Sequence, residues 1–200
     1  MKKNILPHIP FYFIRHGQTD WNKSRTAMGQ TDIPLNEVGI MQAQNAAKDV
    51  AHLDISHIIS SPLQRAKQTS EIIAATMQKN ILYASGLIEC SWGIMEGQPK
   101  GNGEWLEYWK TGGNIKDAEH CFDFSHRITT SLSDILNEHA SKKPILIVSH
   151  GGVYWALNRI LTIPAISDIQ NCGLYFFRPP DAHSAQWSVR ALQTEKEPLV

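Results

Sequence analysis

The sequence predicts an α/β fold, a three-layer α/β/α sandwich with a mainly parallel central sheet. Two observations carry that prediction. Short, continuously apolar runs such as FYFI (11–14), HIIS (57–60) and PILIVS (144–149) read as strands buried on both faces. Each leads, directly or after a polar stretch, into a longer segment with helical spacing, and strands that alternate with helices feed a parallel sheet.

The elements follow in order. After FYFI comes NEVGIMQAQNAAKDVAHL (36–53), a helix capped by Asn36, with Ile40, Ala43, Ala47, Val50 and Ala51 near helical spacing. HIIS leads into SPLQRAKQTSEIIAATM (61–77), where Ser61 can cap and Pro62 can take the first helical position. ILYAS (81–85) is a third strand. Residues 86–116 are glycine-rich and irregular, and hold Trp92, Trp105 and Trp109. From 118 to 140, Cys121, Phe124, Ile128, Leu132, Ile135 and Leu136 recur at three and four, an amphipathic helix. PILIVS precedes a helical GGVYWALNRIL (151–161), and LYFFR (174–178) and SAQWSVRAL (184–192) close the chain as strands. No internal repeat or linker interrupts this, so residues 1–200 read as a single domain.

Composition excludes several classes. Lys+Arg and Asp+Glu balance at 19 each, so no global field favours nucleic acid or an anionic membrane, and any anion site must be local. The three cysteines, Cys90, Cys121 and Cys172, are widely spaced and include no CxxC pair, which suits free thiols in a reducing compartment. MKKNILPHIP is too interrupted by proline to form a signal peptide, so a cytoplasmic protein is expected. The pattern leaves monomer and homodimer equally open.

Three predicted strand ends carry the chemistry. Arg15-His16-Gly17 follows the first strand, Ser60 to Arg65 follows HIIS, and Ser149-His150-Gly151-Gly152 follows PILIV. In open α/β sheets ligands gather outside the carboxyl ends of the strands. Two arginines, two imidazoles and a helix N-terminus at Gly151 would therefore share one sheet edge and suit a compact dianion such as phosphate. The glycine after each histidine would let backbone approach the ligand.

RHGQTDWN (15–22) resembles the signature of the histidine phosphatase superfamily, which includes the cofactor-dependent phosphoglycerate mutases. MGQTDIPLNEVGIMQA (28–43), SSPLQRAKQTSEII (60–73), LIECSWGIMEG (87–97) and VSHGGV (148–153) resemble further family segments in the same order. The resemblance implies a phosphoglycerate mutase-like fold with His16 as the phosphorylated nucleophile. Arg15, Arg65 and His150 would hold the phosphoryl oxygens, and Glu89, rather than Glu96 in the same segment, would be the proton donor. Gln18, Thr19, Asn22 and Gly151 would line the pocket, and Asn171 is a further point of similarity.

The chemistry is coherent in its own right. Phosphoryl transfer needs positioning and charge neutralisation, which arginines and a protonated His150 would supply while a neutral His16 attacks. An alkoxide leaves poorly unless protonated, so Glu89 must carry a proton near pH 7, which burial against Trp92 would favour. No metal and no cofactor are required. The expected function is hydrolysis of a small phosphorylated metabolite. A mutase would want arginines after the acid, whereas this chain offers Lys100, Lys110 and Lys116 there and no arginine before Arg127. A catalytically silent phospholigand binder is the other alternative. Cys90 reads as a bystander, His120 and His126 as surface histidines rather than metal ligands, and EWLEYWK (104–110) as core packing with a share in specificity.

Overall fold

The computed structural model describes residues 6–139, 143–164, 169–182 and 184–192. Six strands form one sheet: β1 (Phe11–Arg15), β2 (Ile58–Ser60), β3 (Ile81–Tyr83), β4 (Ile145–Ser149), β5 (Leu174–Arg178) and β6 (Ser188–Leu192). Their order is β3-β2-β4-β1-β5-β6. The β3-β2, β2-β4 and β4-β1 pairs are parallel, whereas β5 and β6 add antiparallel strands at one edge. The helices are α1 (Asp20–Lys23), α2 (Glu37–Val50), α3 (Gln64–Met77), α4 (Glu104–Lys110), α5 (Cys121–Glu138) and α6 (Gly151–Leu161).

The period-two alternation of strand side chains builds the three layers. Phe11 and Phe13 of β1 and Ile145 and Ile147 of β4 pack with α5 and α6 on one face. Ile14, Leu146 and Val148 pack with α2 and α3 on the other. The central strands are thus buried on both faces, as their unbroken apolar runs require.

Three expectations shift. The buried stripe of α2 is Gly39, Ala43, Ala46, Ala47 and Val50; Ile40 and Ala51 face solvent. Asn36 does cap this helix, accepting the Gly39 N–H at 2.9 Å. Helix α3 begins at Gln64 rather than Pro62: its first free N–H donates to Asp32 Oδ1 at 2.7 Å, while Ser61 Oγ accepts the Leu63 N–H at 3.4 Å ahead of the helix and also bonds His150. The irregular middle also contains a helix, α4, which opens after Gly103 in the left-handed region.

Glycine at position 17 answers to packing. A Cβ there would stand 2.5 Å from the Gly39 carbonyl oxygen, and one on Gly39 would stand 2.1 Å from that of Gln18. The loop after β1 therefore rests directly on the first turn of α2. None of the described helices is long and apolar enough to cross a membrane.

Candidate active site

The ladder between β1 and β4 continues one residue past β1, the His16 N–H donating to the Ser149 carbonyl at 2.9 Å. This seats His16 and His150 side by side at adjacent strand ends, with ring centroids 5.3 Å apart. His16 is 3% exposed and His150 is fully buried. His16 Nδ1 lies 2.7 Å from the Gly17 carbonyl oxygen. A carbonyl can only accept, so Nδ1 carries the hydrogen and the Nε2 lone pair is left available. The Asn171 amide steadies the same residue by donating to the His16 carbonyl at 2.8 Å.

His150 Nε2 shares a 2.7 Å hydrogen bond with Ser61 Oγ, and its Nδ1 is buried with no partner among the described residues. Burial, and then the charge of Arg65, pull both histidines well below the usual imidazole value. The free site therefore holds two neutral rings. A protonated His150, as expected from the chemistry, requires a bound anion to favour it.

Arg65 is braced rather than paired. Its Nη atoms donate to the carbonyls of Gly29, at 2.7 Å, and Thr31, at 3.0 Å. Its Nε is buried without a partner among the described residues. Burial lowers it to about 10, so it stays cationic at neutral pH. Arg15 donates to the Ile169 carbonyl at 2.7 Å. Both arginines border a cavity of about 240 Å³ that His16, Asn22, Glu89 and Gly151 also border.

The two carboxylates of the 89–96 segment have different fates. Glu89 borders the cavity and accepts N–H hydrogen bonds from Cys90 at 2.9 Å and from Gly152, in the first turn of α6, at 3.0 Å. A Cβ at position 152 would stand 2.1 Å from Glu89 Oε1, so only glycine admits this carboxylate. Glu96 accepts from the backbone of Gln30, Thr31 and Trp92 and from the Thr31 hydroxyl. Burial alone would raise its carboxyl, but these donors outweigh burial and hold it below the usual range. Glu96 thus fixes the loop whose carbonyls brace Arg65.

Several residues take places the sequence did not signal. Gln18 and Thr19 lie outside the cavity lining. Gln18 accepts from the Asn36 amide, and Thr19 caps α1 in a reciprocal pair with Asn22. Arg127 was not singled out, yet it donates to the carbonyls of Gly86 at 2.9 Å, Ile88 at 3.0 Å and Glu89 at 3.3 Å, and pairs with Glu119 at 2.7 Å. It clamps the loop that presents Glu89. Cys90 is a bystander, its thiol pushed up chiefly by burial. His120 caps α5. In the EWLEYWK segment, Trp109 is a core residue, while Trp105, Leu106 and Lys110 also border the cavity.

The family model described as "Histidine phosphatase superfamily (branch 1)" matches residues 11–188. The chain is 35% identical to the Probable phosphoglycerate mutase GpmB of Yersinia pestis (strain Pestoides F), over 83% of each chain. The mycobacterial glucosyl-3-phosphoglycerate phosphatase superposes with a TM-score of 0.78 at 23% identity, covering 92% of this chain and 97% of that one. Phosphoglycerate mutase from Bacillus anthracis gives 0.78 at 21% identity, covering 96% and 95%. At these identities the structural likeness shows the fold; the matched family model and the 35% identical relative show that the chain belongs to the histidine phosphatase superfamily, branch 1.

Proposed function

We propose that this protein hydrolyses a small phosphomonoester through a phosphohistidine on His16. The observation that carries the reading is the tautomer of His16: Nδ1–H is committed to the Gly17 carbonyl, which leaves Nε2 as a nucleophile in a cavity walled by Arg15, Arg65 and Glu89. In the first step Nε2 attacks phosphorus as the ester P–O bond breaks, and Glu89 gives its proton to the departing alkoxide. In the second, Glu89 takes a proton from water, the hydroxide attacks phosphorus, and the P–N bond breaks to restore His16.

Arg15, Arg65 and His150 hold the equatorial oxygens, and the N-terminus of α6 at Gly151 adds its positive end. The unmatched Arg65 Nε suits that role, since Arg65 borders the cavity and a phosphoryl oxygen would complete it, whereas His150 does not border the cavity and adjoins it through His16. The phosphate dianion supplies the negative neighbour that promotes a proton on His150. These side chains provide the charge the transition state needs, so the scheme is metal-independent.

A mutase reading is favoured by the Yersinia relative and by Lys100 and Lys110 at the cavity. However, Lys110 is spent on Glu107 at 2.7 Å, and the wall beyond the phosphate end is aromatic, so water is the better acceptor. A cytoplasmic setting, as a monomer or homodimer acting on a metabolite, fits this chemistry. Hydrolysis of p-nitrophenyl phosphate in EDTA tests it. Turnover that survives chelation and vanishes in His16→Ala is expected. Turnover retained by His16→Ala would refute the nucleophile, and a wild type inert to every phosphomonoester would refute the phosphatase.

A further inference from the structure

Granting that His16 receives the phosphoryl group, we propose that the alcohol released is a small aromatic one, its ring held by Trp92, Trp105 and Trp155. These come from three separate segments: the loop after Glu89, helix α4 and helix α6. Their meeting at one cavity is therefore not the apolar stripe of a single helix. Trp109 organises them. It is 1% exposed, its Nε1 donates to the Glu119 carbonyl at 2.7 Å, and its ring contacts Trp92 at 4.7 Å and Trp155 at 4.9 Å. Trp105 then packs on Trp92 at 5.4 Å. The rings cross steeply, at 74° for Trp92 with Trp105 and 82° for Trp92 with Trp109. The aromatic wall is thus built of rings packed edge to face on one another, and a flat guest at the cavity would extend that packing.

The remaining wall disfavours the main competitors. Met28 and Leu106 are apolar, and Glu89, the one carboxylate that borders the cavity among the described residues, is committed at the phosphate end. A polyhydroxylated sugar would find few acceptors along these indoles, the Trp105 Nε1, buried without a partner among the described residues, offering it a single donor there. A quaternary ammonium, the usual guest of an aromatic cage, is opposed by Lys100. The cavity, at about 240 Å³, is smaller than the ~300–1,000 Å³ of drug-sized sites, so the alcohol is small.

The test uses His16→Ala protein, which binds without being phosphorylated, and calorimetry with 2-phenylethyl, 2-cyclohexylethyl and ethyl phosphate. These esters share similar leaving groups and differ in the ring. The phenyl ester should bind at least about tenfold tighter than ethyl phosphate, and about two- to tenfold tighter than the cyclohexyl ester. Adding Trp105→Leu should bring the phenyl-to-cyclohexyl ratio near one, and Trp105→Phe should keep it. Should the leucine variant fail to fold, Trp155→Leu gives the same readout. Equal affinity for all three esters, or a cyclohexyl preference, overturns the inference. Wild-type kcat/KM separates the two claims: hydrolysis of all three esters at equal efficiency would overturn the aromatic site alone. A phenyl preference in binding without hydrolysis of any ester would support the site and overturn the phosphatase.

Discussion

Lowering the pH from 7.5 to 5.5 in phosphate-free buffer should remove up to about 3 kcal/mol of folding stability, traceable to two side chains. His16 and His150 are buried against each other beneath Arg65 and Arg15, and burial first, then Arg65, holds both well below the usual imidazole value. In the unfolded chain each ring takes up a proton as the pH falls through about 6.5. In the folded chain burial and the arginines oppose that uptake. The unfolded state therefore binds more protons, so the stability these rings allow is full above about pH 6.5 and is lost below it. Integrated over those two pH units, the loss is at most about 1.4 kcal/mol for each ring.

Urea midpoints at pH 7.5, 6.5 and 5.5, read with a constant slope, measure this directly. His16→Asn and His150→Asn should each roughly halve the pH-dependent loss, whatever they do to stability at pH 7.5. A total loss below about 0.7 kcal/mol, or a loss that neither variant changes, would mean that the rings can charge in place. The neutral pair assigned to the free site would then be wrong.

Gly152→Ala should push Glu89 aside, since the new Cβ would overlap its Oε1. Turnover of an alkyl phosphate should fall by about 10²-fold, while p-nitrophenyl phosphate, whose leaving group needs no proton, falls far less. Arg127→Met strips the clamp from the Gly86, Ile88 and Glu89 carbonyls and should cost about 1–3 kcal/mol in thermal unfolding, with a matching bias against alkyl esters. Glu96→Gln leaves three N–H groups and a hydroxyl facing a poorer acceptor. It should loosen the brace on Arg65, raising KM for any phosphomonoester more than it lowers kcat.

What the sequence disclosed and what it hid divide along one physical line. Strands announce themselves through their own side chains, so FYFI, HIIS and PILIVS were legible, as was the convergence of residues 15–16, 60–65 and 149–152 at one sheet edge. The sequence also favoured Glu89 over Glu96 only through similarity to a family. In space the two separate because one carboxylate borders the cavity while the other is enclosed by four donors. Arg127 and Glu96 were hidden because they act on the backbone of segments about 40 and 65 residues away, and backbone groups leave no mark in residue identity. The same holds for Gly152, whose missing Cβ makes room for a side chain 63 residues upstream.

The two halves of the site are consequently supported in opposite ways. The histidines stand on a rigid sheet edge, where strand register alone places them. The acid stands on a loop, and Arg65, in the first turn of α3, leans on the carbonyls of another; both loops need polar anchors, Arg127 under Glu89 and Glu96 under the carbonyls that brace Arg65. Substitutions in the anchors should therefore shift protonation and phosphate affinity while sparing the nucleophile. A phosphohistidine that still forms on His16 in Arg127→Met, though more slowly with alkyl esters, is the signature of that division.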